Sequence, residues 1–163
     1  MLMAVIELNQ AEPSSVIVES GDIVTSGALG PCLGVVIYSR KARQAYAAHL
    51  IVADDGLEKL AICAIARFGP ARNLRAYLTG ASLESIAEQD TTKCLLDDRA
   101  IAQEILRRQA FDPAKVHVRW GPRDAYTILT FDPAIGEATL DIKDYQGRSI
   151  YAGRFEEAPT FMK

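Results

Sequence analysis

The chain has 163 residues and a formal net charge of −3, with 49% of its residues hydrophobic and 24% charged. That length buries a core without cross-links, and the mildly acidic balance offers no electrostatic footprint for nucleic acid. No run is apolar for long enough to cross a bilayer, and the N-terminus lacks the pattern of a signal peptide, so a cytoplasmic protein without membrane insertion is expected.

In chain order, Glu12 to Ser15 (EPSS) reads as a turn, and Ser15 to Glu19 alternates like a strand. Asp22 to Thr25 continues the extended pattern. Leu33 to Ser39 (LGVVIYS) is β-branched and apolar, bounded by Gly30-Pro31 before it and the basic turn Arg40 to Gln44 after it, and reads as a central strand. Ala45 to Val52 reads as its antiparallel partner across a hairpin.

Leu57, Leu60, Ala61, Ala64, Ile65 and Phe68 fall at helical spacing, opened by Asp54-Asp55 and closed by Gly69-Pro70. Leu74 to Leu78 is a strand ending in Thr79-Gly80-Ala81-Ser82. Ala100 to Gln109 is predicted as the second helix, entered through Asp97-Asp98 as caps. Val116 to Trp120 is a strand, and Tyr126 to Phe131 with Glu137 to Ile142 form a hairpin. The tail from Lys143 stays unassigned, with Tyr145, Tyr151 and Phe155 as packing anchors. The expected fold is α+β: one domain over residues 1–163, a layered sheet of mainly antiparallel strands with two main helices packed on it.

The chemical inventory is short. The histidines are His49 and His117, and the cysteines are Cys32, Cys63 and Cys94, too widely spaced for a disulfide framework or a zinc site. Neither a bound metal nor a cofactor is expected, since the glycines form no phosphate or dinucleotide fingerprint. Cys63 reads as core and Cys94 as surface. His117, between Val116 and Val118, is placed on the wetter face of its strand.

Cys32 stands just before one predicted strand and His49 inside the next. A hairpin pairs the start of the first with the end of the second and so brings thiol and imidazole together. A neighbouring imidazole can stabilise a thiolate as an ion pair. The turn before Cys32, with Gly27, Gly30 and Pro31, can aim backbone N–H groups at an oxyanion, with Gly30 and Leu33 lining that subsite. Pro31 removes one donor from it. Thr25 and Ser26 are the nearby hydroxyls that could orient the imidazole.

On these residues the chain resembles the chemoreceptor glutamine deamidases, the CheD-like family. Leu29-Gly30-Pro31-Cys32 opens an apolar strand, and Ala48-His49 follows at the family's spacing. Thr79 to Ser82 is similar to the family's GGAS segment, and Leu96 to Ala100 to its IG-x-RN segment. Phe131-Asp132-Pro133-Ala134-Ile135-Gly136 is similar to its closing hairpin. The likeness runs from about residue 16 to 142 and leaves 143–163 as an extension. It implies the Cys-His deamidase fold shared with the catalytic domain of cytotoxic necrotizing factor. It also implies hydrolysis of glutamine side chains on a protein substrate such as a chemoreceptor, through a thioester on Cys32. His49 would be the base, and Ser26 or Thr25 the third residue. A chemotaxis regulatory protein is the implied further partner. The alternatives are an inactive protein-binding module of the same fold and an effector deamidase acting on another protein.

Overall fold

A computed structural model describes residues 3–8 and 15–161. The predicted turn at Glu12 to Ser15 lies largely outside them. Ten strands and two helices follow in the order β1 (Val5–Glu7), β2 (Ser15–Val18), β3 (Ile23–Thr25), β4 (Leu33–Ser39), β5 (Gln44–Leu50), α1 (Leu57–Phe68), β6 (Arg75–Gly80), α2 (Gln89–Arg108), β7 (Val116–Trp120), β8 (Ala125–Asp132), β9 (Glu137–Asp144) and β10 (Ser149–Arg154).

The class is α+β, but the sheet arrangement differs from expectation. There are two mixed sheets, ordered β1-β3-β8-β9-β10 and β2-β5-β4-β6-β7. Each carries a parallel pair at one edge, β1 with β3 and β6 with β7. The second pair follows from connectivity. α2 lies between β6 and β7, and a helical crossover returns the chain in the same direction.

The sheets stack face to face, and the helices cover the far side of the second sheet. One core lies between the sheets, where Val36, Tyr38, Ala47 and Tyr77 meet Val24, Leu129, Phe131 and Leu140. The other lies under the helices, where Leu33, Val35, Ile37 and Leu78 meet Leu57, Leu60, Ala102 and Leu106. β4 therefore touches both cores, and every one of its residues is buried. Its unbroken apolar sequence is what a strand covered on both faces requires. β8 and β9 have one covered face and alternate buried with half-buried positions.

α1 buries the stripe Leu57, Leu60, Ala61 and Ala64. Cys63 departs from expectation: it points away from that stripe and is exposed, as is Cys94. α2 begins eleven residues before the predicted Ala100. Its first half is largely exposed and buries no apolar stripe, so the periodicity that marks a helix is weak there. Asp97 and Asp98 are thus mid-helix residues rather than caps. Asp98 is buried and accepts a 2.6 Å hydrogen bond from the Ala53 N–H, fastening the short 3-10 turn before α1 to α2.

The tail contributes β10, which pairs antiparallel with β9. Phe155 is fully buried, 5.2 Å from the Tyr77 ring. Among the described residues no helix is long and apolar enough to cross a membrane.

Candidate active site

The β4–β5 register fixes the relation between Cys32 and His49. Gly34 pairs with His49, and Cys32 stands two residues before Gly34. Alternation puts Cys32 and His49 on one face as diagonal neighbours, whose backbones stand about 7–8 Å apart in such a ladder. That face looks toward the first sheet. Cys32 packs against the inter-sheet core, and the His49 ring reaches the segment after β3. Gly34, between them, has no side chain because Leu29 fills the space: a Cβ there would lie 2.4 Å from Leu29 Cδ1.

His49 is 6% exposed, and its Nδ1 lies 2.8 Å from the Ser26 carbonyl oxygen. A carbonyl only accepts, so Nδ1 carries the proton, and in the neutral ring Nε2 is the basic atom. Ser26 is itself held from the opposite sheet. Its N–H donates to the Leu129 carbonyl at 2.8 Å, and its Oγ accepts from the Leu129 N–H at 2.9 Å. The Ser26 hydroxyl donates to the Gly27 carbonyl at 2.7 Å. So Nδ1 meets the Ser26 main chain, while the Ser26 hydroxyl is engaged with Gly27 and Leu129. Thr25 is half-buried and paired with Thr130 in the outer ladder, on the face opposite buried Val24.

Cys32 is half-buried. Burial pushes its thiol above the ordinary value, the reverse of the depressed value that a resting ion pair with His49 requires. Leu33 sends its side chain into the helix-side core, and its backbone is flanked by Leu50 and Gly80. The Gly30 carbonyl accepts from the Ser82 N–H at 2.8 Å.

The turn carrying Cys32 is bracketed by residues that the sequence did not assign to the site. The Ala81 N–H donates to the Cys32 carbonyl at 2.8 Å, and Leu29 exchanges two backbone hydrogen bonds with Thr127. The hydroxyls of Ser82 and Thr127 are buried and have no hydrogen-bond partner among the described residues. They converge over Gly121, where a Cβ would lie 2.0 Å from Ser82 Oγ and 3.1 Å from Thr127 Oγ1. The small residues of Thr79 to Ser82 were the available signal for Ser82, and Thr127 had none.

Arg99 supports this corner from α2. It is buried and donates twice to the Ala81 carbonyl, at 3.0 and 2.6 Å, while its guanidinium lies 5.6 Å from the Trp120 ring centre. Ala81 has a φ of +47°, which a residue with a Cβ adopts only when its surroundings compel it. Arg99→Met strips both donors from a buried carbonyl and is expected to cost about 1–3 kcal/mol in urea unfolding. Arg107→Met, on the exposed face of the same helix, should change stability by no more than about 0.5 kcal/mol. Equal losses in the two variants would refute the role given to Arg99.

His117 lies on the opposite face of β7 from Val116 and Val118, stacked at 5.1 Å on Tyr77. Burial, first among several influences, holds its pKa below the usual imidazole value. It belongs to the core edge far from Cys32. Among the described residues no group of three or more His, Cys, Asp or Glu side chains is arranged to hold a metal ion.

No family model matches the chain, and no curated protein matches it. Among solved structures it is similar to the Bacillus licheniformis hypothetical protein YfiH, with a TM-score of 0.48 and 12% identity over 64% of this chain and 49% of that one. It is also similar to the Neisseria meningitidis protein NMB0706, of the DUF152 family, with a TM-score of 0.42 and 16% identity over 74% of this chain and 63% of that one. The chain thus spans about half the length of the first and under two thirds of the second.

These findings overturn the resemblance to the chemoreceptor glutamine deamidases. No model of that family matches, and the structural likeness is to YfiH and a DUF152 protein. The protein-glutamine deamidation and the chemotaxis role drawn from it fall with the resemblance, as do the binding-module and effector alternatives. The shared motifs describe a glycine turn, a cysteine and a strand, which is local geometry that unrelated substrates can use.

Proposed function

We propose that the corner built by Cys32 and His49 is a nucleophilic thiol site for covalent chemistry on a small electrophilic substrate. The observation that carries this reading is the 2.8 Å contact between His49 Nδ1 and the Ser26 carbonyl. It fixes the tautomer with its basic nitrogen at Nε2, on the sheet face that also carries Cys32. Because burial favours the neutral thiol, Cys32 rests protonated at neutral pH. His49 then acts as a base during attack. The Sγ–H proton passes to Nε2 as a sulfur lone pair bonds the electrophilic carbon, whose π pair moves onto its attached heteroatom. The imidazolium keeps its Nδ1–H on Ser26 and can return the Nε2 proton to that heteroatom.

The test is alkylation by iodoacetamide, followed at each cysteine by peptide mass spectrometry across pH. Exposed Cys63 and Cys94 serve as references within the same molecule. The rate at Cys32 should rise with a midpoint above the ordinary thiol value, since its thiol is raised by burial. His49→Gln should slow Cys32 at pH 7.5 by about tenfold or more, within the range of a removed general base, and leave the references unchanged. If Cys32 alkylates at the same rate in both proteins, the base assignment fails.

A further inference from the structure

At the far end of β4, about 20 Å along the strand from Cys32 by the rise per residue, lies a second site with different chemistry. A cleft of about 490 Å³ opens between the β4–β5 turn, the start of β6, the β8–β9 turn and the end of β10. Arg40, Arg43, Arg75 and Arg154 line it, against Glu137 and Glu156. Four guanidiniums around one cleft stand out on a chain whose net charge is −3.

Its floor is rigid. The Tyr38 hydroxyl donates to the Pro133 carbonyl at 3.0 Å. Gly136 passes over the Tyr38 ring so closely that a Cβ would lie 2.9 Å from Cε1. Burial raises the Tyr38 pKa, while the fields of Arg43, Arg75 and Arg40 oppose that shift, so three of the four cations act on one buried hydroxyl.

The cations themselves are little compensated. Arg154 pairs with Glu157 at 3.8 Å, and Arg75 lies near enough to the Tyr77 hydroxyl, which donates to Glu156, to oppose the rise in its pKa. Arg40 and Arg43 have no ion pair among the described residues. Arg43 has a φ of +51°, in a region that favours glycine at tight turns, yet an arginine stands there with its side chain in the cleft.

From this clustering we infer that the cleft binds a small-molecule diphosphate whose organic part carries hydroxyl groups. Guanidinium forks match phosphate oxygens in paired hydrogen bonds, and four of them suit more than one negative charge. Glu137 and Glu156 have only acceptors to offer, which suits hydroxyl donors on the rest of the ligand. The volume falls within the range of small-molecule sites. The thiol chemistry proposed for Cys32 is separate, and neither reading depends on the other.

Calorimetric titration with inorganic pyrophosphate, at constant ionic strength and without divalent cations, tests the core of this inference. Binding at one site per chain is expected, about tenfold or more tighter than sulfate. Arg40→Gln should weaken it by about tenfold, whereas Lys41→Gln, the same charge change one residue along the turn and outside the cleft, should leave it within about twofold. Uridine diphosphate should bind more tightly than pyrophosphate if the glutamates receive hydroxyls, and the gain should disappear in Glu137→Gln. No detectable pyrophosphate binding, or equal weakening by Arg40→Gln and Lys41→Gln, would overturn the site. Equal affinity for pyrophosphate and uridine diphosphate would overturn the hydroxyl-bearing part.

Discussion

Gly80→Ala should destabilise the protein by more than about 3 kcal/mol, a large effect for one methyl group. Two causes act together. Gly80 has a φ of +85°, where a side chain is strained. A Cβ there would also lie 2.2 Å from the Cys32 carbonyl oxygen and 3.1 Å from Leu29 Cβ. The first obstacle is main chain, so no rotamer change relieves it. The β4–β6 pair must open at Leu33 and Gly80, and the Cys32 carbonyl must leave the Ala81 N–H. At roughly 2–4 °C per kcal/mol for a chain of this size, the midpoint of thermal unfolding should fall by roughly 6–12 °C. Gly30→Ala is the matched control, because a Cβ at Gly30 meets nothing within 4 Å. Its midpoint should stay within about 2 °C of the parent, as for a substitution without a named cost. Should the two variants melt together, the close packing of β6 against the Cys32 turn is not what holds this corner.

Phe131→Ala should cost about 3–5 kcal/mol. Phe131 is fully buried on β8 and is the ring through which the first sheet grips the second. Its centroid lies 5.0 Å from Tyr38 and 5.5 Å from Tyr77, both edge-on or tilted, the geometry aromatic pairs prefer. Tyr77 continues the chain of contacts to Phe155 and His117. The cavity left by alanine is bounded by large rings fixed to the second sheet, so it closes poorly. Urea denaturation measures the loss, and Phe131→Leu, which restores most of the volume, should recover more than half of it. A loss under about 1 kcal/mol for alanine would mean that the sheets are held elsewhere.

Much of the fold was legible wherever a segment carries its own period or its own boundary. β4 and β7 match their predicted limits, because each is an apolar or alternating run ended by turn residues. α1 matches because its buried stripe and its Gly69-Pro70 stop lie within one segment. α2 was half legible, because its first half buries too little to show a period. β10 is a largely exposed edge strand that pairs with its sequence neighbour β9 but shows no buried face, and the pairing of β1 with β3 is decided by residues well away in the chain. The division into two mixed sheets is likewise non-local, and no window of sequence contains it.

The site divides in the same way. Cys32 and His49 could be paired from strand spacing, since the hairpin joining them is local. The carbonyl that orients the ring could not, because main-chain oxygens leave no mark on composition. Ser82, Thr127 and Gly121 meet from three separate segments, and only the closed structure shows that they do. The family motifs misled for a related reason: they encode the thiol's turn and strand, while substrate identity is written by surrounding loops.

The anchoring of Ser26 sets an order of assembly. The β4–β5 hairpin that brings Cys32 beside His49 spans fewer than twenty residues, and such short loops close early in folding. The two hydrogen bonds that hold Ser26 reach Leu129, 103 residues away. During synthesis the thiol and the imidazole therefore emerge as neighbours long before β8 exists to fix the ring. The nascent chain carries both reactive groups without the alignment that joins them, and the base gains its orientation only when the two sheets close.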